Sequence, residues 1–274
     1  MDVFKNTVFI NLDERVDRRE HFLQEFAKLG FPVGSNGRNP HRISATKLEK
    51  GAIGCSMSHI KALEYAKAQG WDQVCICEDD ITFTRPVELL MSLAKIWQSP
   101  AINNAWDVLI LGGNNWPPFT QRSDSCIQVH NCMSTTGYVV KRHYYDTLLQ
   151  NYKDGVRLFL QNPDKGYLYA IDVWWRRLQV RDRWYMVVPA TVDQWTNSYS
   201  NVENRATTYT PLMLDYRKEG MWLPPNKSWK MLQFSPQERA AVVSKEDKPW
   251  LGVVPLYKTV GKKRSMPPMQ FTVK

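Results

Sequence analysis

An α/β protein with a mainly parallel central sheet is the fold this sequence predicts, and three observations predict it. Apolar runs of strand length recur at Thr7–Leu12, Val74–Cys77 and Val108–Leu111. Between them apolar residues return at helical spacing, and that alternation marks strands joined by crossover helices. The third observation is chemical: Glu78-Asp79-Asp80 closes the Val74–Cys77 run, where a buried strand should end. In open sheets, ligands bind outside the carboxyl ends of the strands.

Taken in order, Thr7–Leu12 reads as the first strand. Phe22, Leu23, Phe26 and Leu29 then share one helical face, and Gly30 is a stop signal. A polar loop is expected over residues 34–42. Ser56 is placed to cap a helix with Met57, Ile60 and Leu63 along one side, which Gly70 ends before the next strand. Val87, Leu90, Met91, Ala94 and Trp97 mark another helical face. Val108–Leu111 is a buried strand running into Gly112-Gly113, and Tyr138-Val139-Val140 a shorter one. Beyond about residue 205 the periodicity fades.

A chain of 274 residues with 43% apolar content suffices for one large α/β domain. Its expected extent is residues 1–243. The remainder, 244–274, carries seven Lys/Arg against two acids and is read as a basic tail. Trp250, Leu251, Val253, Val254 and Leu256 give that tail enough apolar surface to dock on the domain. The competing role is peripheral contact with a membrane or an anionic acceptor. No apolar stretch approaches the ~18 residues of a membrane span, and Met1–Lys5 lacks a signal-peptide pattern, so the expected location is cytoplasmic. Five cysteines are an odd number; Cys75 and Cys77, alternating in a strand, are expected on opposite faces, which argues for free thiols rather than a disulfide or zinc framework. The formal charge of +9 suits an anionic ligand, but the basic residues are scattered and form no groove with interleaved aromatics, so nucleic acid is not an expected partner.

Three adjacent carboxylates repel one another unless a positive charge sits among them. A divalent cation carrying a diphosphate meets that need, because hard cations take carboxylate oxygens and share their shell with phosphates. The competing reading is a solvated acidic turn.

Three segments, set side by side, carry a family resemblance. Asn11-Leu12-Asp13-Glu14-Arg15-Val16-Asp17-Arg18-Arg19 ends the first strand, Gly51-Ala52-Ile53-Gly54-Cys55-Ser56-Met57-Ser58-His59 opens a helix, and Glu78-Asp79-Asp80 ends the next strand. In this order and spacing the chain resembles glycosyltransferase family 25, which includes bacterial lipooligosaccharide galactosyltransferases and procollagen galactosyltransferases. Thr135–Arg142, Ile171-Asp172 and the stretch from Pro189 through Gln194 to Ser200 extend the likeness, which covers about residues 5–205.

The resemblance implies a GT-A fold, with a Rossmann-like nucleotide-binding half. It implies inverting transfer of galactose or glucose from a UDP-sugar to a hydroxyl on a glycan or on a hydroxylysine-bearing protein, with a divalent metal, Mn2+, as cofactor. Asp80 is then the first metal ligand and Glu78 the second, or a ribose contact; alternation along an extended segment would put these two on one side. Many relatives of the wider fold use Asp-x-Asp, whereas this chain has Glu first. Asn11, Leu12, Arg15, Glu78 and Asp79 are placed on the nucleotide-sugar: Asn11 for the uracil ring and Arg15 for phosphate, which guanidinium forks suit. Arg18 and Arg19 are read chiefly as an exposed helix face, and His59 as a structural histidine in the first turn of its helix. Asp172 is the candidate base, or else a helix N-cap. Of Trp174 and Trp175, one is expected in the core and the other free to stack on a sugar. The alternative function is a nucleotide- or carbohydrate-binding protein of the same fold without turnover.

Overall fold

Strands buried on both faces organise this molecule. The computed structural model describes residues 3–30, 39–200, 202–203 and 205–219; the tail 244–274 and the end of the expected domain lie outside them. In chain order, β1 (Thr7–Asn11) leads to α1 (Val16–Ala27), β2 (His41–Ser44), α2 (Gly51–Ala68), β3 (Gln73–Glu78), β4 (Ile81–Phe83), α3 (Pro86–Gln98) and α4 (Pro100–Asn103). Next come β5 (Val108–Asn115), β6 (Phe119–Ser123), β7 (Cys126–Val129), β8 (Cys132–Lys141), α5 (Tyr145–Gln161), α6 (Gly166–Tyr169), α7 (Ile171–Trp174) and α8 (Arg176–Arg181). The last elements are β9 (Trp184–Val187), β10 (Val192–Gln194), β11 (Ser198–Ser200), β12 (Arg205–Thr207) and α9 (Thr210–Leu214).

Eight strands form the main sheet in the order β2-β1-β3-β8-β5-β9-β7-β6. The strands β1, β2, β3, β5, β6 and β9 point one way, and β8 and β7 run against them. This is the mostly parallel α/β sheet the sequence predicts, with one long strand inserted antiparallel at its centre. Alternation sends Val8, Ile10, Val74, Ile76, Val108, Ile110, Tyr138 and Val140 into one core, where Ala62, Leu63 and Ala66 of α2 and Leu148 and Tyr152 of α5 meet them. Phe9, Cys75, Cys77, Leu109, Leu111 and Val139 enter the other, against Phe22 and Phe26 of α1 and Leu89, Leu93 and Ile96 of α3. Cover on both faces is why these strands read as unbroken apolar runs.

Several expectations are corrected. His41–Ser44 is not loop but the edge strand β2, parallel to β1. The face of α3 that enters the core is Leu89, Ser92, Leu93 and Ile96, one residue out of phase with the predicted stripe, and Val87 and Met91 are exposed. Helix α2 begins at Gly51, so Ser56 is interior and donates back to the Ala52 carbonyl instead of capping. Cys75 and Cys77 share a face, their sulfurs 3.7 Å apart, because residues two apart in a strand point the same way; both thiols are free. Trp174 and Trp175 are both buried: Trp175 packs on Tyr138 and Trp184, and Trp174 lies against Gly155 with Arg177 over its ring. Gly30 and Gly70 end their helices with φ of +76° and +66°, as their stop roles require. No helix among the described residues is long and apolar enough to cross a membrane.

Candidate active site

The carboxyl ends of β1 and β3 are adjacent in the sheet, so Asn11 and Glu78-Asp79-Asp80 meet there. Arg18 joins them from the first turn of α1, the helix that follows β1 directly. Its side chain is only 12% exposed, with Nη1 3.0 Å from Asp79 Oδ1 and 3.3 Å from Asp80 Oδ2. The same guanidinium donates to Ser198 Oγ and to the Tyr199 carbonyl, which ties β11 over the acids.

Asp79 is buried and also accepts from Asn11 Nδ2 at 2.7 Å. Burial lifts its carboxyl to about 6; Arg18 pulls against this, and the charge of Asp80 adds to it. Burial lowers the Arg18 pKa, but Asp80 and Asp79 outweigh it and leave the guanidinium raised and firmly charged. Asp80 is fixed through its backbone, whose carbonyl accepts from Trp195 N at 2.7 Å. Its Oδ1 is buried and has no hydrogen-bond partner among the described residues.

Glu78 has a different set of partners. Oε1 accepts from Thr135 Oγ1, lies 3.5 Å from His59 Nε2 and 3.9 Å from Cys55 Sγ, and Oε2 accepts from Gln194 Nε2 at 3.4 Å. The strand ends at Glu78 and the next two residues form the turn into β4, so the strand alternation assumed for Glu78 and Asp80 does not extend through Asp80. It is Asp79 and Asp80 that share a partner.

Asp172 sits in α7, which packs against the central strand β8. It is not an N-cap, since Ala170 holds that position and the carboxylate accepts instead from Ser134 N–H at 3.0 Å. Ser134 has φ of +74°, a strained conformation for a residue with a Cβ, and it precedes the Thr135 that donates to Glu78. Asp172 is thus linked to the acidic cluster through one short stretch of β8. Buried Arg176, whose burial drops its pKa to about 10, lies close enough for the Asp172 charge to oppose that fall.

Among the other residues expected at the site, Asn11 is buried with its amide engaged on every side: it donates to Asp79 and to the Arg15 carbonyl, and accepts from Arg42. Its visible task is to hold Asp79. Leu12 offers its carbonyl to Arg15 N, closing the turn after β1. Arg15 forks onto Asp17 and donates to the Tyr199 carbonyl. The residue that pairs with the acids is Arg18, which the sequence ranked below Arg15. His59 lies in the third turn of α2, fully buried, with Nδ1 2.8 Å from the Tyr138 hydroxyl. Thr135 and Gln194 were visible only as members of their motif segments.

Carboxylates and an arginine thus gather at the carboxyl ends of parallel strands, the position at which open α/β sheets bind ligands. Comparison with known proteins gives the class. The family model for glycosyltransferase family 25, described as LPS biosynthesis proteins, matches residues 4–161. No curated protein matches the chain. Among solved structures, a glycosyltransferase involved in the glycosylation of the major capsid of PBCV-1 is 9% identical, covering 66% of this chain and 80% of its own, with a TM-score of 0.40. The nucleoside-diphosphate-sugar pyrophosphorylase from Vibrio cholerae RC9 is 17% identical, covering 70% of this chain and 77% of its own, with a TM-score of 0.34. The assignment rests on the family match, which spans more than half of the sequence: the protein is a glycosyltransferase. It belongs to glycosyltransferase family 25.

Proposed function

We propose that this glycosyltransferase is inverting and metal-dependent, and that it moves galactose or glucose from a UDP-sugar to a hydroxyl on a glycan or a hydroxylysine-bearing protein. The observation that carries the reading is the acidic cluster at the end of β3, with Asp80 Oδ1 buried and unpartnered beside it. A buried carboxylate oxygen without a donor is costly, and a divalent ion is the partner that suits it. Asp80 would hold the ion through Oδ1, while Glu78, expected as its second ligand, is engaged by Thr135, His59 and Gln194; when bound, the Mn2+ stabilises the charge that develops on the departing diphosphate.

The chain's own residues do the rest. Arg18 ties the Asp79 and Asp80 carboxylates together and so preorganises the site. Asp172 is the base: it takes the proton of the acceptor hydroxyl as that oxygen bonds to the anomeric carbon. The bond from that carbon to the UDP oxygen breaks, and UDP leaves with the electron pair. The Ser134 N–H holds the Asp172 carboxylate in one orientation for that transfer.

Incubation with a panel of UDP-sugars and Mn2+ tests the reading. Slow, metal-dependent release of UDP from one hexose donor is expected even without acceptor. Tight UDP binding with no turnover of any donor would favour a binding protein of the same fold.

A further inference from the structure

We propose that Cys55, His59 and Glu78 form a second cation site, for a thiophilic divalent ion such as Zn2+, separate from the diphosphate ion assigned to Asp80. This goes beyond the proposed transfer reaction and does not depend on it. The three side chains converge because Cys55 and His59 stand four residues apart on α2 and so share a face, and that face looks onto the end of β3. Their donor atoms, Cys55 Sγ, His59 Nε2 and a Glu78 oxygen, all lie within 4.8 Å of one another. A tetrahedral ion with bonds of about 2.0–2.3 Å keeps its donors roughly 3.3–3.6 Å apart. Two of the three separations, 3.5 Å from His59 to Glu78 and 3.9 Å from Cys55 to Glu78, need little adjustment to reach that; the third, Cys55 to His59, lies within 4.8 Å.

An independent observation points to a ligand. His59 is fully buried, and its Nε2 has no hydrogen-bond partner among the described residues although it faces a carboxylate. The other ring nitrogen, Nδ1, is held by the Tyr138 hydroxyl, which itself accepts from Tyr152. A metal-bound imidazole has this arrangement: the far nitrogen, as N–H, donates to a polar group that fixes the ring, and the near one offers its lone pair. Glu78 is supported likewise, by Thr135 on Oε1 and Gln194 on Oε2.

The donor set selects the ion. A thiolate, an imidazole and one carboxylate oxygen suit Zn2+ or Co2+, whereas Mn2+ prefers an all-oxygen shell such as Asp80 and a diphosphate supply. Three protein ligands leave the fourth position open to water or a ligand atom. On binding, the Cys55 thiol loses its proton to solvent and no electron is transferred.

Co2+ is the probe, because a cobalt–thiolate bond absorbs in the near ultraviolet. Titrating the full chain, kept reduced, should give a saturating charge-transfer band that added Zn2+ abolishes. Cys55→Ser, checked for folding by its melting curve, should lose the band and lose the stabilisation by Zn2+. Asp80→Ala should keep both. Absence of the band in the parent chain overturns the site, and a band persisting in Cys55→Ser does the same by assigning the metal to another thiol. Loss of the band in Asp80→Ala would overturn its independence from the diphosphate ion. None of these readouts requires activity, so failure of the transfer reading leaves the result interpretable.

Discussion

Arg18 Nη1 lies 3.0 Å from Asp79 Oδ1, yet burial still holds the Asp79 carboxyl at about 6. The pair is therefore not a plain stabilising salt bridge. Below the ordinary value of 3.8 the folded and unfolded chains both carry the proton on this group. Between 3.8 and about 6 the folded chain alone holds it, and above that folding must bury a charge. The contribution of Asp79 is greatest on the acid side and is lost as pH rises through about 6. The gap corresponds to about 3 kcal/mol. Asp79→Asn removes the titration, so its melting temperature relative to the parent should rise between about pH 4 and pH 7. A difference that stays flat over that range would show that Asp79 is ionised throughout.

Removing the other partner has the opposite sign. Arg18→Met leaves two carboxylates without their counter-charge, and breaking a buried pair from one side costs about 3–5 kcal/mol. Asp79 escapes part of this by taking a proton, so the fall in melting temperature should be larger near pH 7.5 than near pH 5. Equal losses at both values would assign the role of Arg18 to its Ser198 and Tyr199 contacts instead of its charge.

The sequence disclosed what depends on local pattern and hid what depends on phase. β1, β3 and β5 were legible because both faces are buried and each holds an unbroken apolar run, Val8–Ile10, Val74–Cys77 and Val108–Leu111. β2 was not, since Ile43 alone of its four residues is buried, and β6 was hidden in the same way by its exposed Thr120, Gln121 and Arg122. The acidic triplet announced the site, but Arg18 could not be ranked above Arg15 without the rotation of α1. Reading α2 from Ser56 rather than Gly51 likewise put His59 in the first turn, and nothing in the spacing then aimed it or Cys55 at Glu78.

The same helix gives a test of backbone packing. A Cβ on Gly54 would stand 2.4 Å from the Thr46 carbonyl oxygen, a backbone atom that cannot swing aside. Alanine normally improves a helix interior over glycine by up to about 1 kcal/mol. Here Gly54→Ala should instead destabilise by about 1–3 kcal/mol, the range for overpacking, and lower the melting temperature by several degrees. A raised melting temperature would mean that α2 can move off the 46–48 segment freely.

Asp80 tests the diphosphate ion. Asp80→Ala should abolish transfer and weaken metal-dependent UDP binding, with the fold intact, because its backbone hydrogen bond to Trp195 survives the change. Excess EDTA should silence the parent chain in the same way. Turnover that persists in the variant or in EDTA would remove the metal role.

Asp172 offers the cleanest separation of chemistry from structure. Its carboxylate accepts from Ser134 N–H, so alanine would release a strained turn two residues or fewer from Thr135 and Thr136 and confuse the two roles. Asparagine keeps an acceptor oxygen for that N–H but cannot take a proton from the attacking hydroxyl. A base matters chiefly in the transition state, so Asp172→Asn should lower kcat by roughly a hundredfold or more, with UDP affinity nearly unchanged. A near-normal kcat in Asp172→Asn, with activity lost only in Asp172→Ala, would make Asp172 a positioning residue that acts through Ser134 and Thr135 on Glu78, and the base would have to be sought among other carboxylates.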